Sequence, residues 1–236
     1  MILNPNKTGC ILITTRQKQQ LHPPPLCLSL NSQPVKQVHT HRLLGVTIDD
    51  QLSWHPHVEN ICKTISKNLY LLSKLTYFTD NSTRKLFYNA HIQSHIDYAS
   101  TVWDGCSDAC IRRLNSLHRR AAKLILCKST DSTDDRLKAL GMLPLRKHLL
   151  FNKGVVMHKV HKSQVPNYLS GLFSASPSPY CSPRNSLNTP RPRIDIFKGS
   201  ISYSGATFWN SLPPQVKNSS SVSSFKAQLF KHLRDL

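Results

Sequence analysis

Residues 41–75 read "HRLLGVTIDDQLSWHPHVENICKTISKNLYLLSKL", and within this stretch the hydrophobic pattern changes from that of a strand to that of a helix. The segment up to Ile48 is a short apolar run with β-branched residues, which is typical of a strand. Beyond Pro56 the apolar residues recur at spacings of three and four, which predicts an amphipathic helix of about five turns. The chain is therefore predicted to be an α+β protein, mainly α, with a small sheet followed by helices.

Further strands are predicted upstream of the helix. Residues 9–15, 26–30, 35–38 and 42–48 have strand patterns, and the second and third are joined through "NSQ" as an antiparallel hairpin. Gly45 lies inside the last of these predicted strands, where a glycine lets another backbone or a nucleic-acid sugar approach closely. Close packing and ligand contact are both open explanations of Gly45.

Four more helices are predicted downstream. The second runs through "DNSTRKLFYNAHIQSHIDYASTVW" with Asn81 or Ser82 as its N-cap, and the third through "DACIRRLNSLHRRAAKLILC" with Asp108 as its cap. The fourth and fifth are "TDDRLKALGM" and "PLRKHLLFNKGVVMHKVHK", and Pro144 is expected in the first turn of the fifth.

The last part of the chain differs in composition. Residues 174–193 hold five Pro and five Ser, which predicts a linker that buries no core. Two short strands, a buried Phe208–Trp209 pair and a helix from about Val222 are expected after it. The predicted division is 1–54, β-rich; 55–128, a three-helix bundle; 129–173, a helical extension; 174–193, the linker; and 194–236, a small strand-and-helix unit.

The composition favours a polyanionic partner. With 31 Lys and Arg against 12 Asp and Glu, the formal net charge is +19. A surface of this sign attracts nucleic acid, because each phosphate that a basic side chain neutralises releases counterions. No signal-peptide pattern and no run of eighteen apolar residues occurs, and the 7 Cys are an odd number. We expect an intracellular protein with reduced thiols and no membrane partner, not secreted, with the nucleus as one candidate location.

Basic residues concentrate on the third predicted helix, where no acidic residue lies between Cys110 and Cys127. Arg113 and Arg120, seven residues apart, must share one side, and the other basic residues are expected to flank the apolar stripe. The predicted nucleic-acid-binding residues are Arg112, Arg113, Arg119, Arg120 and Lys123. The fifth helix is the next candidate, through Arg146, Lys147, Lys153, Lys159 and Lys162. A solvated basic surface, or a protein-interaction module whose basic face meets an acidic partner, is the alternative.

Residues suited to catalysis are scarce. Asp49 and Asp50 follow the apolar strand directly, and no Asp or Glu precedes them. Neighbouring residues of a strand point to opposite faces, whereas a polymerase needs two carboxylates on one Mg²⁺ site. We predict a polar strand end. There is also no nucleophile elbow and no Gly-rich phosphate loop, so a small-molecule substrate is not expected.

A zinc site is the other chemistry that the sequence suggests, through Cys106, Cys110, His118 and Cys127. If these residues lie along one helix, Cys110 and His118 are about 12 Å apart and His118 and Cys127 about 13 Å. A tetrahedral ion with bonds of about 2.0–2.3 Å cannot reach all of them. Buried thiols are the favoured interpretation, and no metal site is predicted.

Five segments, in order, resemble the C-terminal third of reverse transcriptases from non-LTR (LINE-type) retrotransposons of the Jockey and chicken-repeat groups. They are "LNPNKTGCILITT", "HRLLGVTIDDQLSWHPHVENICKTISKNLYLLSKL", "LFYNAHIQSHIDYASTVW", "LNSLHRRAAKLI" and "ATFWNSLPPQVKNSSSVSSFKAQLFKHL", and together they extend over nearly all of the chain. The resemblance implies an antiparallel palm-remnant sheet, a thumb-like helical bundle and a C-terminal extension. The parent family is an RNA-directed DNA polymerase that uses Mg²⁺.

The resemblance also implies roles for single residues. Lys7 would lie near the triphosphate, where an amine can protonate the leaving pyrophosphate, although a strand-edge charge is the alternative. Leu44 and Gly45 would lie in the palm segment that meets the primer terminus. The family's fingers and Ala-Asp-Asp hairpin are missing. We therefore expect a truncated reverse transcriptase fragment that is not an enzyme, holds no cofactor, and binds RNA or primer–template duplex independently of sequence.

Overall fold

Helices dominate the structure. The computed structural model describes residues 8–15, 18, 27–30, 32–127, 132–174 and 186–236. The chain is an α+β protein, mainly α, as its sequence predicts. It folds as two compact units, Met1–Ile61 and Cys62–Leu236. None of the helices in the described ranges combines the length and the apolar composition that crossing a membrane requires.

The strands of the first unit are short and pair two by two. The pairs are β1 (Gly9–Cys10) with β4 (Lys36–Gln37), β2 (Ser29–Leu30) with β3 (Gln33–Pro34), and β5 (Thr40–Leu43) with β6 (Val46–Asp49). The first pair is parallel and the other two are antiparallel. The hairpin predicted around "NSQ" is β2–β3. Where the resemblance implies one antiparallel sheet, the described strands form three separate two-stranded ladders.

The strand predicted over residues 42–48 is a hairpin instead. β5 and β6 meet at Leu44 and Gly45, whose φ angles are 46° and 85°. Two consecutive positive φ angles are what a type I′ hairpin turn requires, and glycine adopts one without steric cost. Gly45 therefore serves the turn, and its predicted position inside a strand was wrong.

The second predicted helix is broken into several pieces. After α1 (His55–Leu75) come α2 (Asn81–Tyr88), a π-helical turn (Asn89–Gln93), α3 (Ser94–Asp97) and α4 (Ser100–Trp103). Asp80, and not Asn81 or Ser82, caps α2, since its carboxylate accepts a hydrogen bond from the Thr83 N–H at 3.1 Å. Ala99 separates α3 from α4 by adopting a left-handed conformation with φ of 50°.

The remaining helices follow the predicted order until the tail. They are α5 (Asp108–Leu126), α6 (Thr133–Ala139), α7 (Leu145–His161), α8 (Asn167–Ser170), α9 (Asp195–Gly199), α10 (Ile201–Ser211), α11 (Pro214–Lys217) and α12 (Val222–Asp235). The tail's two predicted strands are the helices α9 and α10. In α10, Gly205, Ala206 and Trp209 are buried at helical spacing, and the helix packs against α7.

A core joins α7 to the last three helices. Met157, Trp209, Phe225 and Leu229 are fully buried in it. Gly154 allows α12 to approach α7, because a Cβ atom at this position would lie 2.6 Å from Leu229 Cδ2. The burial of Trp209 and the helix beginning at Val222 confirm two predictions for this segment, whereas Phe208, also predicted to be buried, is only half-buried.

Candidate nucleic-acid interface

The five predicted nucleic-acid-binding residues all lie on α5, and all five side chains are exposed. At about 100° per residue they occupy one arc of about 120°, and the rise of 1.5 Å per residue spreads them over about 17 Å. They form a single stripe, whereas three of them were expected to flank the apolar side. This stripe is the basic face of α5 and consists of Arg112, Arg113, Arg119, Arg120 and Lys123.

The opposite side of α5 fixes this orientation. Ile111, Leu114, Ala121 and Ile125 are buried, and α5 packs against α2, α6 and α7. Rotating the helix would expose these side chains, at about 1.5–3 kcal/mol for each large aliphatic residue. The basic face is therefore held toward solvent by the packing behind it.

The beginning of α5 is capped by a serine. The Ser107 hydroxyl accepts a hydrogen bond from the Cys110 N–H at 3.4 Å, so the prediction that Asp108 is the cap was wrong. Asp108 lies in the first turn, where its negative charge interacts favourably with the positive end of the helix dipole. Its carboxylate also pairs with Arg146 of α7, both side chains being exposed.

The end of α5 is held by Arg84 of α2, a buried arginine that sequence analysis missed. Its Nη1 donates to the Leu124 carbonyl oxygen at 3.2 Å and to Cys127 Sγ at 2.6 Å. Its Nη2 donates to the Thr79 carbonyl oxygen at 3.0 Å, and its Nε to that of Asp80 at 3.1 Å. Nothing in the sequence distinguishes this arginine, in the polar first turn of a helix, from one that is exposed to solvent.

The predicted second candidate, the fifth helix, does not present one basic face. On α7 Lys153 is buried, lies 2.7 Å from the carboxylate of Asp104 and donates to the Ser204 hydroxyl. Burial raises the pKa of Asp104, and the facing ammonium group opposes that shift. Since Arg146 pairs with Asp108 and Lys159 lies elsewhere around the helix, α7 is a weaker candidate than α5.

The buried side of α5 also holds a titratable residue, His118. Its Nε2 lies 3.1 Å from the Leu143 carbonyl oxygen and its Nδ1 lies 2.9 Å from the Tyr88 hydroxyl. Burial lowers the pKa of His118 to about 4 and raises the pKa of Tyr88. His118 is therefore neutral at neutral pH. Its Nε2–H donates to the carbonyl oxygen, and its Nδ1 faces the Tyr88 hydroxyl, which donates to Gln93 Oε1.

The cysteines that the sequence suggests as zinc ligands do not form a metal site with His118. In the part of the chain that the structure describes, no three His, Cys, Asp or Glu side chains could hold one metal ion. Burial and the neighbouring Cys110 raise the pKa of the Cys106 thiol to about 12. A metal-binding or nucleophilic thiol needs the opposite shift.

Asp49 and Asp50 are both engaged by neighbouring protein groups. Asp49 ends β6, is buried, and accepts hydrogen bonds from the N–H groups of Ser53 and Trp54 at 3.0 Å each. The Asp50 carboxylate lies 2.8 Å from His39 Nδ1. Asp49 and Asp50 therefore form the polar end of a strand, as the sequence predicts.

The residues with roles implied by resemblance lie in the first unit. Leu44 is at the tip of the β5–β6 hairpin and is 84% exposed, and Gly45 follows it in the turn. Lys7 lies outside the described residues.

Comparison with known proteins gives one curated similarity. Over 127 residues, 52% of its length, the chain is 24% identical to the probable RNA-directed DNA polymerase from transposon X-element of Drosophila melanogaster. The chain covers 13% of that protein's length. No family model matches the chain, and no solved structure matches it. The similarity supports a relationship to retrotransposon reverse transcriptases.

Proposed function

We propose that the chain is the part of a non-LTR retrotransposon reverse transcriptase that holds nucleic acid, with α1 to α5 as a thumb-like bundle and the short ladders as palm segments. The basic face of α5 contacts the phosphates of RNA or of a primer–template duplex, independently of base sequence. The similarity to a transposon RNA-directed DNA polymerase supports the choice of partner.

One observation carries this proposal: five exposed cations share one arc of a helix that is fixed at both ends. The face is about 17 Å long. A duplex carries one phosphate charge per about 1.7 Å of its axis, so each cation can meet a phosphate. Contacts of this kind position the nucleic acid and do not specify its bases.

The chain is proposed to bind without polymerising. Asp49 and Asp50 use their carboxylates within the protein, and the sequence has no earlier acidic residue that could share a Mg²⁺ ion with them. Leu44 and Gly45 are proposed to meet the primer end, which the exposure of the hairpin tip supports. Lys7 is proposed to be near the triphosphate only in a protein that supplies a complete catalytic site.

A salt titration tests the proposal. Two blunt RNA–DNA duplexes of unrelated sequence are titrated with the chain by fluorescence anisotropy between 50 and 300 mM salt. Both should give the same Kd, and log K should fall linearly with log[salt] by about 0.9 for each phosphate contact. Sequence-dependent affinity that resists salt would overturn the proposal. So would extension of a DNA primer, recessed on an RNA template, when the chain is supplied with Mg²⁺ and deoxynucleoside triphosphates. Preference for an acidic protein over either duplex would favour the protein-interaction alternative.

A further inference from the structure

Two aromatic side chains stand exposed on the turn between α1 and α2. Tyr77 is 80% exposed and Phe78 is 86% exposed. Their ring centroids are 6.4 Å apart at an interplanar angle of 61°. The two rings contact each other at an edge, and most of their area is left to solvent. Adjacent exposed aromatic rings need a reason, because burying them would stabilise the fold.

The turn that carries these rings is fixed by hydrogen bonds. The Phe78 N–H donates to the Leu75 carbonyl oxygen at 3.1 Å, and the Thr79 hydroxyl donates to the same oxygen at 2.7 Å. Asp80 then caps α2. The rings are thus presented by a defined backbone that ends one helix and begins the next.

This aromatic turn is adjacent to the end of the basic face of α5. The guanidinium of Arg84 donates both to the Thr79 carbonyl oxygen, at 3.0 Å, and to the Leu124 carbonyl oxygen, at 3.2 Å. Thr79 follows Phe78 directly, and Leu124 follows Lys123, the last cation of the face. One side chain therefore spans the distance between the aromatic turn and the basic face.

The charges around the turn select an anionic occupant. The sequence has no acidic residue from Asn60 to Thr79, and the carboxylate of Asp80, which follows, is engaged by the Ser82 hydroxyl and the Thr83 N–H. Lys67 and Lys74 are exposed, and Lys74 Nζ lies 5.4 Å from the ring centroid of Tyr70. A partner that is both anionic and flat fits this surface. Unpaired nucleic acid has both properties, since its phosphates attract lysine and its bases stack on aromatic rings.

We propose that Tyr77 and Phe78 form a stacking platform for unpaired bases of the nucleic acid whose phosphates lie on the basic face of α5. The preferred partner is then a duplex with a single-stranded overhang. This inference rests on the proposed function, because it requires that α5 holds nucleic acid. It adds a second contact surface and a preference that the basic face alone would not produce.

The test compares a blunt RNA–DNA duplex with the same duplex carrying a four-nucleotide overhang. For the full chain, the overhang should lower Kd by at least about fivefold for each base that stacks. The double variant Tyr77→Leu, Phe78→Leu keeps the apolar character but removes the aromatic faces, so it should bind both duplexes equally. Tyr168→Leu changes a residue that is 80% exposed on α8 and should keep the preference. Ultraviolet cross-linking of 5-iodouracil in the overhang should mark Tyr77 or Phe78.

The outcomes separate the two proposals. Failure of the wild-type chain to bind either duplex would overturn the proposed function. Equal binding of the blunt and overhanging duplexes by the wild-type chain would overturn only the stacking platform. An overhang preference that survives in the double leucine variant would also overturn it. The stacking platform would also be overturned if the wild-type chain is a dimer and the leucine variant is a monomer with the same overhang preference. The two rings would then serve self-association.

Discussion

At the scale of single residues, His118 has the most direct consequence for stability. Burial lowers its pKa from 6.5 to about 4, so between these pH values the unfolded chain binds a proton that the folded chain does not. The contribution of His118 to stability is complete above pH 6.5 and is lost as the pH falls toward 4. The loss amounts to about 3 kcal/mol at pH 4.

His118→Gln should reduce this pH dependence. We expect the free energy of unfolding to depend less steeply on pH between 6.5 and 4, by up to about 1.4 kcal/mol per pH unit. Urea unfolding at several pH values measures the slope, and His95→Gln, at an exposed position, is the control. Burial also lowers the pKa of His158 and His161, so several histidines contribute to the pH dependence of the wild-type chain. The contribution of His118 is therefore the difference in slope between the wild-type chain and His118→Gln. An unchanged slope would show that His118 is protonated in the fold.

Gly45 provides a second test at this scale. Its φ of 85° disfavours a branched side chain, so Gly45→Val should destabilise the first unit by more than about 1 kcal/mol. Gly9→Ala is the matched control, because a Cβ atom there would meet its nearest neighbour at an ordinary 3.5 Å. Amide exchange of β5 and β6 should accelerate in the valine variant alone. Equal protection in both variants would contradict the assigned turn.

At the scale of elements, Arg84 determines how α5 ends. Its hydrogen bonds to the Leu124 and Thr79 carbonyl oxygens hold the helix and the aromatic turn together. Arg84→Met should cost about 1–3 kcal/mol, because it removes the hydrogen bonds that a charged side chain donates to part-buried carbonyl oxygens. Arg120→Met, on the exposed basic face, should stay within about 0.5 kcal/mol of wild type. Thermal or urea unfolding measures both, and similar losses would show that Arg84 is not a structural donor.

Helices with a long apolar period were predictable from sequence, and interruptions were not. α1 and α5 were predictable because their apolar residues recur at spacings of three and four over about five turns. The break at Ala99 was missed, since alanine favours a helix and only tertiary packing holds it in the left-handed region. The sequence of α10 predicts a strand instead of a helix, because its serines and aromatic residues mask the helical spacing of Gly205, Ala206 and Trp209 on its buried side. Tertiary context decided both cases.

At the scale of the whole molecule, the net charge of +19 is used in two ways. Some basic residues are internal: Arg84 bonds four protein acceptors, Lys153 pairs with Asp104, and Lys217 donates to the Asn210 carbonyl oxygen while burial lowers its pKa. The cations of α5 remain exposed. Sequence identified the cluster on α5 but could not separate exposed cations from internal ones, because that depends on which helix faces are covered.

The salt dependence of binding by a triple variant tests whether the basic face of α5 holds nucleic acid. Arg113, Arg119 and Arg120 are changed together to Gln, which keeps helix propensity while removing three charges. The control variant carries the same change at three exposed cations of α12, namely Lys226, Lys231 and Arg234.

Both variants must first show wild-type helicity by circular dichroism. Log K for a blunt duplex is then plotted against log[salt]. The α5 variant should flatten the slope by roughly two to three units, since each lost phosphate contact removes about 0.7 to 0.9, and the α12 variant should keep the wild-type slope. An unchanged slope in the folded α5 variant would contradict the claim and place the binding surface on another part of the molecule.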